Sequence, residues 1–141
     1  MRDVLFRGRQ TDKDRWVYGV PVNGTSVDES EILIVESVFN CEEYCCRGCE
    51  FSPVIPETIG QYTCLTDKNG KMIFEGDIVA GAVCWLERPK NGVVAFRDGS
   101  FGLIWYRGEV EQFNAFTSMC NVVYEVIGNI YDNPELLEGG D

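Results

Sequence analysis

The residues best suited to acid–base chemistry are two carboxylates, Glu75 and Asp77, separated by a single glycine. If both lay on one strand, their side chains would share a face about 6–7 Å apart. Paired carboxylates of this kind act as general acids and bases or hold Mg²⁺. The same residues are equally typical of a turn, in which an aspartate carboxylate accepts backbone N–H groups. Because structural networks also contain paired carboxylates, we favour the turn and keep catalysis as an alternative.

A cysteine-rich segment, CEEYCCRGC, is the second place where chemistry could occur, and it contains Cys41, Cys45, Cys46 and Cys49. Zinc sites with four cysteines usually draw on two separated pairs. Adjacent Cys45 and Cys46 cannot easily ligate one ion tetrahedrally, so a metal site would need ligands from another cysteine or a second subunit. A redox dithiol is a further alternative. The favoured interpretation is a cytosolic loop of reduced cysteines, with no metal and no cofactor.

Several classes of enzyme are excluded by what the sequence lacks. It contains no histidine, which removes Ser–His–Asp and Cys–His catalysis as well as histidine metal sites. The two glycine-rich phosphate-binding motifs, G-x-x-x-x-G-K-[ST] and G-x-G-x-x-G, are both absent from the sequence. We therefore expect a protein that is not an enzyme.

The net charge of −11 is concentrated in two segments. Residues 28–57 hold eight acidic residues and one arginine, and residues 109–141 hold seven acidic residues and no lysine or arginine. Affinity for a phosphate backbone depends on lysine and arginine, so direct nucleic-acid binding is disfavoured, although a local patch stays possible. The acidic segments are well suited to keeping the protein in solution.

Turn signals divide the second half of the chain into short strands. Pro56 and Glu57 suit the first turn of a short helix, and Asp67-Lys68-Asn69-Gly70 is typical of a tight turn. Asp98-Gly99 between two apolar runs predicts a β-hairpin, because a type I′ turn needs positive φ at both central residues. Residues 109–116 are ambiguous between a short helix and irregular structure. Residues 122–130 predict a strand, followed by a helical turn with Asn133 at its cap.

The first half of the chain also predicts strands. Residues 4–6 and 16–18 flank a polar turn at residues 11–14, and Gly19 and Pro21 are expected to end the second of these strands. Residues 31–38 predict a further strand. Its run of four apolar residues, 32–35, indicates burial on both faces or cover by a partner.

The motifs PETIGQYT, DKNGK and EGDIV, with the tail EVIGNIYDNPELL, resemble the signature of the YopX family of phage and prophage proteins. The similarity extends nearly from end to end, and the cysteine-rich segment is its one clear departure. The resemblance implies a mainly β protein with an SH3-like barrel, encoded by a mobile element in bacteria. It implies no catalytic activity.

These observations predict a single domain over residues 1–141 that is mainly β. An N-terminal β subdomain would cover residues 1–53, and an SH3-like barrel or roll with a few short helical turns would cover residues 54–137. No apolar run approaches the roughly 18 residues that span a bilayer, and the N-terminus is too polar for a signal peptide. We expect no membrane partner and a cytoplasmic location in a bacterial host.

Without catalytic residues, the most plausible function is that of an interaction module that binds another protein or assembles with itself. The candidate binding residues are Gln61 and Tyr62, expected to be exposed beside the helical turn, together with Glu75 and Asp77. A nucleic-acid-associated regulatory or replication accessory protein is the alternative, since aromatic residues can form a base-stacking platform. Most of the aromatics are better explained as core. A carboxylate- or metal-dependent enzyme is the third possibility.

Overall fold

The computed structural model describes residues 4–23, 32–38, 49–80, 91–116 and 124–137. The described residues are mainly β, as predicted, with two short 3-10 turns at Pro56–Thr58 and Pro134–Leu137. They divide into two compact units, Met1–Gln61 and Tyr62–Asp141, whereas the sequence placed a boundary near residue 53. The strands are β1 Phe6–Arg9, β2 Trp16–Asn23, β3 Ile32–Val38, β4 Cys49–Val54, β5 Gly60–Thr66, β6 Met72–Phe74, β7 Asp77–Ala80, β8 Gly92–Arg97, β9 Ser100–Arg107, β10 Val110–Ala115 and β11 Glu125–Asn129.

The first unit is an antiparallel sheet with the strand order β4-β3-β2-β1-β5, where β5 contributes its first two residues. The predicted hairpin of β1 and β2 is present, but β2 does not end at Gly19 or Pro21. Its first half pairs with β1 and its second half, from Val20 to Asn23, pairs with β3. Pro21 therefore lies where β2 has a partner on one side only, which is where a strand tolerates a missing N–H.

The core of the first unit is small and lies on one face of this sheet. Val17, Ile34 and Val54 are almost fully buried, and Ile32 and Ile59 pack against them. In β3, Ile34 is buried but Leu33 and Val35 on the opposite face are only half-buried. Burial on both faces, the first alternative for β3, is therefore met on one face only, and cover by a partner stays a prediction.

The end of β4 returns to the residues that follow β1. Gln10 bridges Val54, the Ile55 N–H donates to the Arg9 carbonyl oxygen at 2.8 Å, and the Thr11 N–H donates to the Pro53 carbonyl oxygen at 3.1 Å. These backbone bonds hold the two ends of the four-stranded segment together.

A polar network lies beside this junction. The Arg15 guanidinium donates to both Glu36 oxygens at 2.9 and 3.1 Å and to the Gln10 side chain at 3.0 Å. The buried Ser52 hydroxyl donates to the Glu36 carboxylate at 2.6 Å. Charge-assisted bonds of this kind are stronger than neutral ones, so the network fastens β3 and β4 to the β1–β2 turn.

The second unit contains a hairpin of β5 and β6 and an antiparallel sheet with the strand order β10-β9-β8-β7-β11. Among the described residues of this unit, one buried apolar cluster consists of Ile73, Val79, Val94, Leu103, Trp105 and Val126. The predicted Asp98-Gly99 turn joins β8 to β9, and both residues have positive φ, 51° and 81°, as a type I′ turn requires.

Two expectations for the second unit differ from the structure. Residues 110–115 form a strand instead of a helix or irregular segment, because a turn at Gly108, whose φ is +64°, folds β10 back onto β9. The five-stranded sheet does not close on itself among the described residues, since β10 and β11 are its two ends. An SH3-like barrel therefore stays a prediction. The sequence of residues 79–86 also predicts a strand; β7 includes residues 79 and 80, and residues 81–90 lie outside the described ranges.

Among the ranges given above, no helix is long and apolar enough to cross a bilayer.

Replacing Gly19 with alanine is expected to destabilise the first unit by about 3 kcal/mol, because overpacking of a fixed backbone contact is costly. A Cβ at this position would collide with the Val35 carbonyl oxygen, part of the β3 backbone, which cannot rotate away as a side chain would. Equilibrium urea unfolding would measure the decrease in the free energy of unfolding.

Gly70→Ala is the matched control. Gly70 has φ +81° but nothing within 4 Å of the added Cβ, so its substitution should cost only the backbone strain, about 1 kcal/mol. Equal losses for the two variants would show that the close approach of β2 and β3 is not a constraint.

Candidate functional site

The carboxylate of Asp67 accepts three backbone N–H groups and is only 2% exposed. Its Oδ1 accepts the N–H groups of Asn69 and Lys71, at 2.8 and 2.9 Å. Its Oδ2 accepts the N–H of Val126 in β11, at 3.0 Å, from a position 59 residues away in the chain. The carboxylate thus ties the β5–β6 turn to the last strand of the sheet.

The pKa of Asp67 reflects two opposing effects. Burial disfavours the charged carboxylate and raises the pKa, while the three backbone N–H donors, from Val126, Lys71 and Asn69, and the charge of Lys71 lower it. The donors prevail, and the pKa of Asp67 lies below the usual aspartate value. The carboxylate is consequently charged and fully occupied in holding the fold, which leaves it unsuited to proton transfer near neutral pH.

The turn that Asp67 organises also covers one edge of the five-stranded sheet. The Lys68 N–H donates to the Tyr124 carbonyl oxygen at 2.9 Å, next to the bond between Val126 and Asp67. These two bonds satisfy the Val126 N–H and the Tyr124 carbonyl oxygen, which point away from β7. Lys68 and Glu125 add a surface ion pair at 3.5 Å.

Glu75 and Asp77 do not share a strand, so the side-by-side arrangement of their carboxylates, kept as the alternative, is not present. Glu75 and Gly76 form the two-residue turn between β6 and β7, and Gly76 has φ +88°. Asp77 is 2% exposed, and its Oδ2 accepts the Phe74 N–H at 2.8 Å. This is the turn interpretation favoured by the sequence.

Gly76 connects three segments of the second unit through its backbone. Its N–H donates to the Val94 carbonyl oxygen and its carbonyl oxygen accepts the Ile130 N–H, both at 2.9 Å. A Cβ on Gly76 would lie 3.1 Å from the Tyr131 ring. Two of the motifs that carry the family resemblance, DKNGK and EGDIV, therefore encode turns that join distant strands.

The other sequence-based binding candidates lie close to the boundary between the units. Gln61 is half-buried and pairs with Phe6 in the first unit. Tyr62 belongs to the second unit, is 9% exposed, and packs its ring 5.5 Å from that of Phe74. The expected exposure of Tyr62 is wrong, because its ring is part of the β5–β6 packing. Binding by these two residues, and by Glu75 and Asp77, stays a prediction.

The cysteine segment cannot be placed in full. Cys41, Cys45 and Cys46 lie outside the described residues, and Cys49 is described only as the first residue of β4. Within the described ranges, Cys64 is half-buried and is not in a disulfide, and no group of three or more metal-ligating residues could hold an ion.

Sequence reasoning missed a surface on the first unit, which we call the outer face. It consists of alternate residues of β1 and β2, so all point away from the Val17 core. Tyr18, Val20 and Val22 are 43%, 48% and 36% exposed. The period-two pattern of β2 contained this signal, but ending the strand at Gly19 hid it. The members of the outer face are Arg7, Arg9, Trp16, Tyr18, Val20 and Val22.

Two arginines of β1 border the aromatic end of the outer face. The guanidinium carbon of Arg7 lies 4.7 Å from the centre of the Trp16 ring, and that of Arg9 lies 5.9 Å from it. Arg7 is only 6% exposed, so its contact with the ring is largely shielded from water. Arg9 also forms an ion pair with Asp14. The outer face thus combines an exposed apolar row with fixed positive charge.

Comparison with known proteins agrees with the motifs. A model of the family described as YopX protein matches residues 5–138. The chain belongs to the YopX family. The matched range thus extends over both units, and the cysteine segment lies inside it.

A crystal structure of protein EF1440 from Enterococcus faecalis is similar to this YopX-family chain. The TM-score is 0.60 and the sequence identity 25%, and the match covers 98% of this chain and 100% of that one. No curated protein matches the sequence. The comparisons therefore establish a family and a similar fold.

We expect Asp67→Asn to lower the free energy of unfolding at pH 7 by about 2–3 kcal/mol, since buried backbone donors lose a charged acceptor. The pH dependence has a defined sign. The folded-state pKa of Asp67 is lower than its unfolded-state value. Its contribution is therefore complete above the unfolded value, about 3.9, and disappears as the pH falls through the folded value.

Urea unfolding of wild type and Asp67→Asn between pH 7 and pH 2 would measure this pH dependence. The difference in free energy of unfolding between the two proteins should shrink below about pH 4. Asp98→Asn is the control, since Asp98 is an exposed turn residue and its substitution should change stability little. A constant difference at every pH would contradict the assigned role of the Asp67 charge.

Proposed function

We propose that this YopX-family protein acts by binding another protein, through the outer face of its first unit, and that it performs no catalysis. The observation that carries the proposal is the exposed apolar row Tyr18, Val20 and Val22 on β2. Single exposed apolar residues are ordinary, but a contiguous row on a sheet face is typical of an interaction site.

The neighbouring strand extends this row. Val20 pairs with Val35 and Val22 pairs with Leu33, and both partners in β3 are half-buried. Cross-strand pairs share a face, so two adjacent strands offer apolar side chains on the same side. Burial of one such side chain under a partner would contribute about 1.5–3 kcal/mol.

The charge around the row indicates what the partner should carry. Arg7 and Arg9 lie at one end of the outer face, in a chain whose net charge is −11. Arg7 is only 6% exposed and Arg9 is ion-paired with Asp14, so a partner would meet mainly the apolar row. The partner class proposed is therefore a protein with an exposed apolar strip.

The family resemblance supports further parts of the proposal. These are a phage or prophage origin, an SH3-like roll within residues 54–137 and a cytoplasmic location in a bacterial host. The two turn motifs support binding over catalysis, because their carboxylates Asp67 and Asp77 are engaged with backbone N–H groups.

The test compares Val20→Glu with Ile127→Glu. Both positions are in strands, 48% and 37% exposed, and both substitutions add one negative charge. Each purified protein would be immobilised and exposed to nuclease-treated bacterial lysate, and the retained proteins would be quantified at moderate salt. We expect wild type and Ile127→Glu to retain the same lysate protein in near-stoichiometric amount. Val20→Glu should retain at least about tenfold less of that protein.

Equal retention by all three proteins would place binding elsewhere on the molecule. Thermal unfolding of Val20→Glu must match that of Ile127→Glu within a few degrees, so that loss of binding is not loss of folding.

A second candidate function is binding of single-stranded nucleic acid, and one observation favours it. Arg7 and Arg9 flank Trp16 and Tyr18, a combination of aromatic and cationic side chains found in single-strand sites. The overall charge opposes this function, because a phosphate backbone would be repelled by most of the surface.

Fluorescence anisotropy with labelled single-stranded RNA and DNA at 20 mM salt would decide between the candidates. We expect no binding at protein concentrations up to about 100 μM. Binding that weakens steeply with salt and is lost in Tyr18→Ala would support the nucleic-acid function over the protein partner.

A further inference from the structure

The two ends of the five-stranded sheet differ in how their backbone groups are satisfied. At the β11 end, the turn residues Asp67 and Lys68 bond to Val126 and Tyr124. At the other end, β10 pairs with β9 and with no other strand among the described residues. An edge strand with open N–H and C=O groups is a template for pairing with another chain.

The ladder between β9 and β10 fixes which groups of β10 point outwards. The Phe116 N–H donates to the Phe101 carbonyl oxygen at 3.0 Å. Hydrogen-bonded pairs alternate in an antiparallel ladder, so Gln112 and Asn114 also direct their backbone groups towards β9. The N–H and C=O groups of Glu111, Phe113 and Ala115 therefore point away from the sheet.

The usual protections of an edge strand are missing from β10. Its sequence, VEQFNA, contains no lysine and no proline, and its register with β9 has no bulge. Its single charged residue, Glu111, is already paired with Arg97 of β8 at 2.8 Å, which holds the pKa of the Glu111 carboxyl below its usual value. In a protein of net charge −11, β10 is thus an electrically balanced edge.

We propose that a second copy of this chain binds at the β10 edge, with the two β10 strands antiparallel and related by a two-fold axis at Phe113. This register places Phe113 opposite its own copy and Glu111 opposite Ala115 of the second copy. All three outward-facing residues of each strand then meet outward-facing residues of the other. Six backbone hydrogen bonds form, and no carboxylate faces another.

Self-pairing is favoured over a different partner because β10 is complementary to itself in this register. Opposite Ala115, the Glu111 carboxylate meets no like charge, and the two phenylalanines form a cross-strand aromatic pair. Because the pairing is two-fold symmetric, each β10 edge is occupied by that of the other copy, and association through this edge stops at two copies. The interface is small, so the dimer should be weak and concentration-dependent.

This inference deepens the proposed function by naming one partner, and the two can fail separately. Self-pairing uses β10 of the second unit, whereas the outer face is on the first unit. A loss of dimer formation leaves the outer face intact, and Val20→Glu leaves the β10 edge intact.

The test uses opposite charges at one exposed position, Ala115. Ala115→Glu places two pairs of like charges across the two-fold axis, and Ala115→Lys places two pairs of opposite charges there. Sedimentation equilibrium of the full chain, from about 1 μM to 1 mM, would give the dissociation constants. We expect about tenfold weaker association for Ala115→Glu and several-fold tighter association for Ala115→Lys. Added salt should strengthen the wild-type dimer by screening its net charge.

Met72→Glu and Met72→Lys, in β6, change the net charge by the same amounts away from β10 and should leave association close to that of wild type. Amide hydrogen exchange supplies an independent measurement, in which Glu111, Phe113 and Ala115 gain protection as the wild-type concentration rises. A protein that stays monomeric at 1 mM in 0.5 M salt, or a dimer with equal responses to Ala115→Glu and Ala115→Lys, would overturn the proposal.

Discussion

The second unit depends on one buried carboxylate. Asp67 accepts two N–H groups of its own turn and one from β11, so a local turn becomes a long-range connection. Burying a charge is costly unless it is fully hydrogen-bonded, and here three backbone donors compensate for the loss of water. The same donors would be left unsatisfied without the carboxylate. The turn and the end of the sheet therefore stabilise each other.

Gly76 has a comparable function a few residues later in the chain. Its positive φ allows a two-residue turn, and its two backbone bonds reach Val94 and Ile130. The next residue, Asp77, closes the turn by accepting the Phe74 N–H. In DKNGK the Asp67 side chain forms a tight turn and bonds to a strand distant in sequence, and in EGDIV the Gly76 backbone does the same. This gives a structural reason why such short motifs can be distinctive for a family.

The surfaces on which the proposed functions rest are a sheet face and a sheet edge. The outer face of the first unit combines an apolar row with arginines that contact Trp16. The β10 edge of the second unit offers backbone groups in a self-complementary register. The first surface presents side chains and the second presents backbone groups, so the two proposed interactions rest on different chemistry.

The sequence by itself determined the features that depend on local backbone preference. The Asp98-Gly99 hairpin, the Pro56 helical turn and the Asp67–Gly70 turn could be predicted because each requires φ values or missing donors that few residues provide. The family was also readable from these turn motifs. The mainly β character followed from the short apolar runs between them.

Only the tertiary structure decided the features that depend on strand pairing. Pro21 continues β2 because that half of the strand has a single partner, and residues 110–115 form a strand because β9 lies beside them. Tyr62 is buried by Phe74, and the Asp67 carboxylate finds Val126 at a separation of 59 residues. A sequence records the donors, acceptors and apolar groups of each segment, but their partners are chosen by packing between segments far apart in the chain.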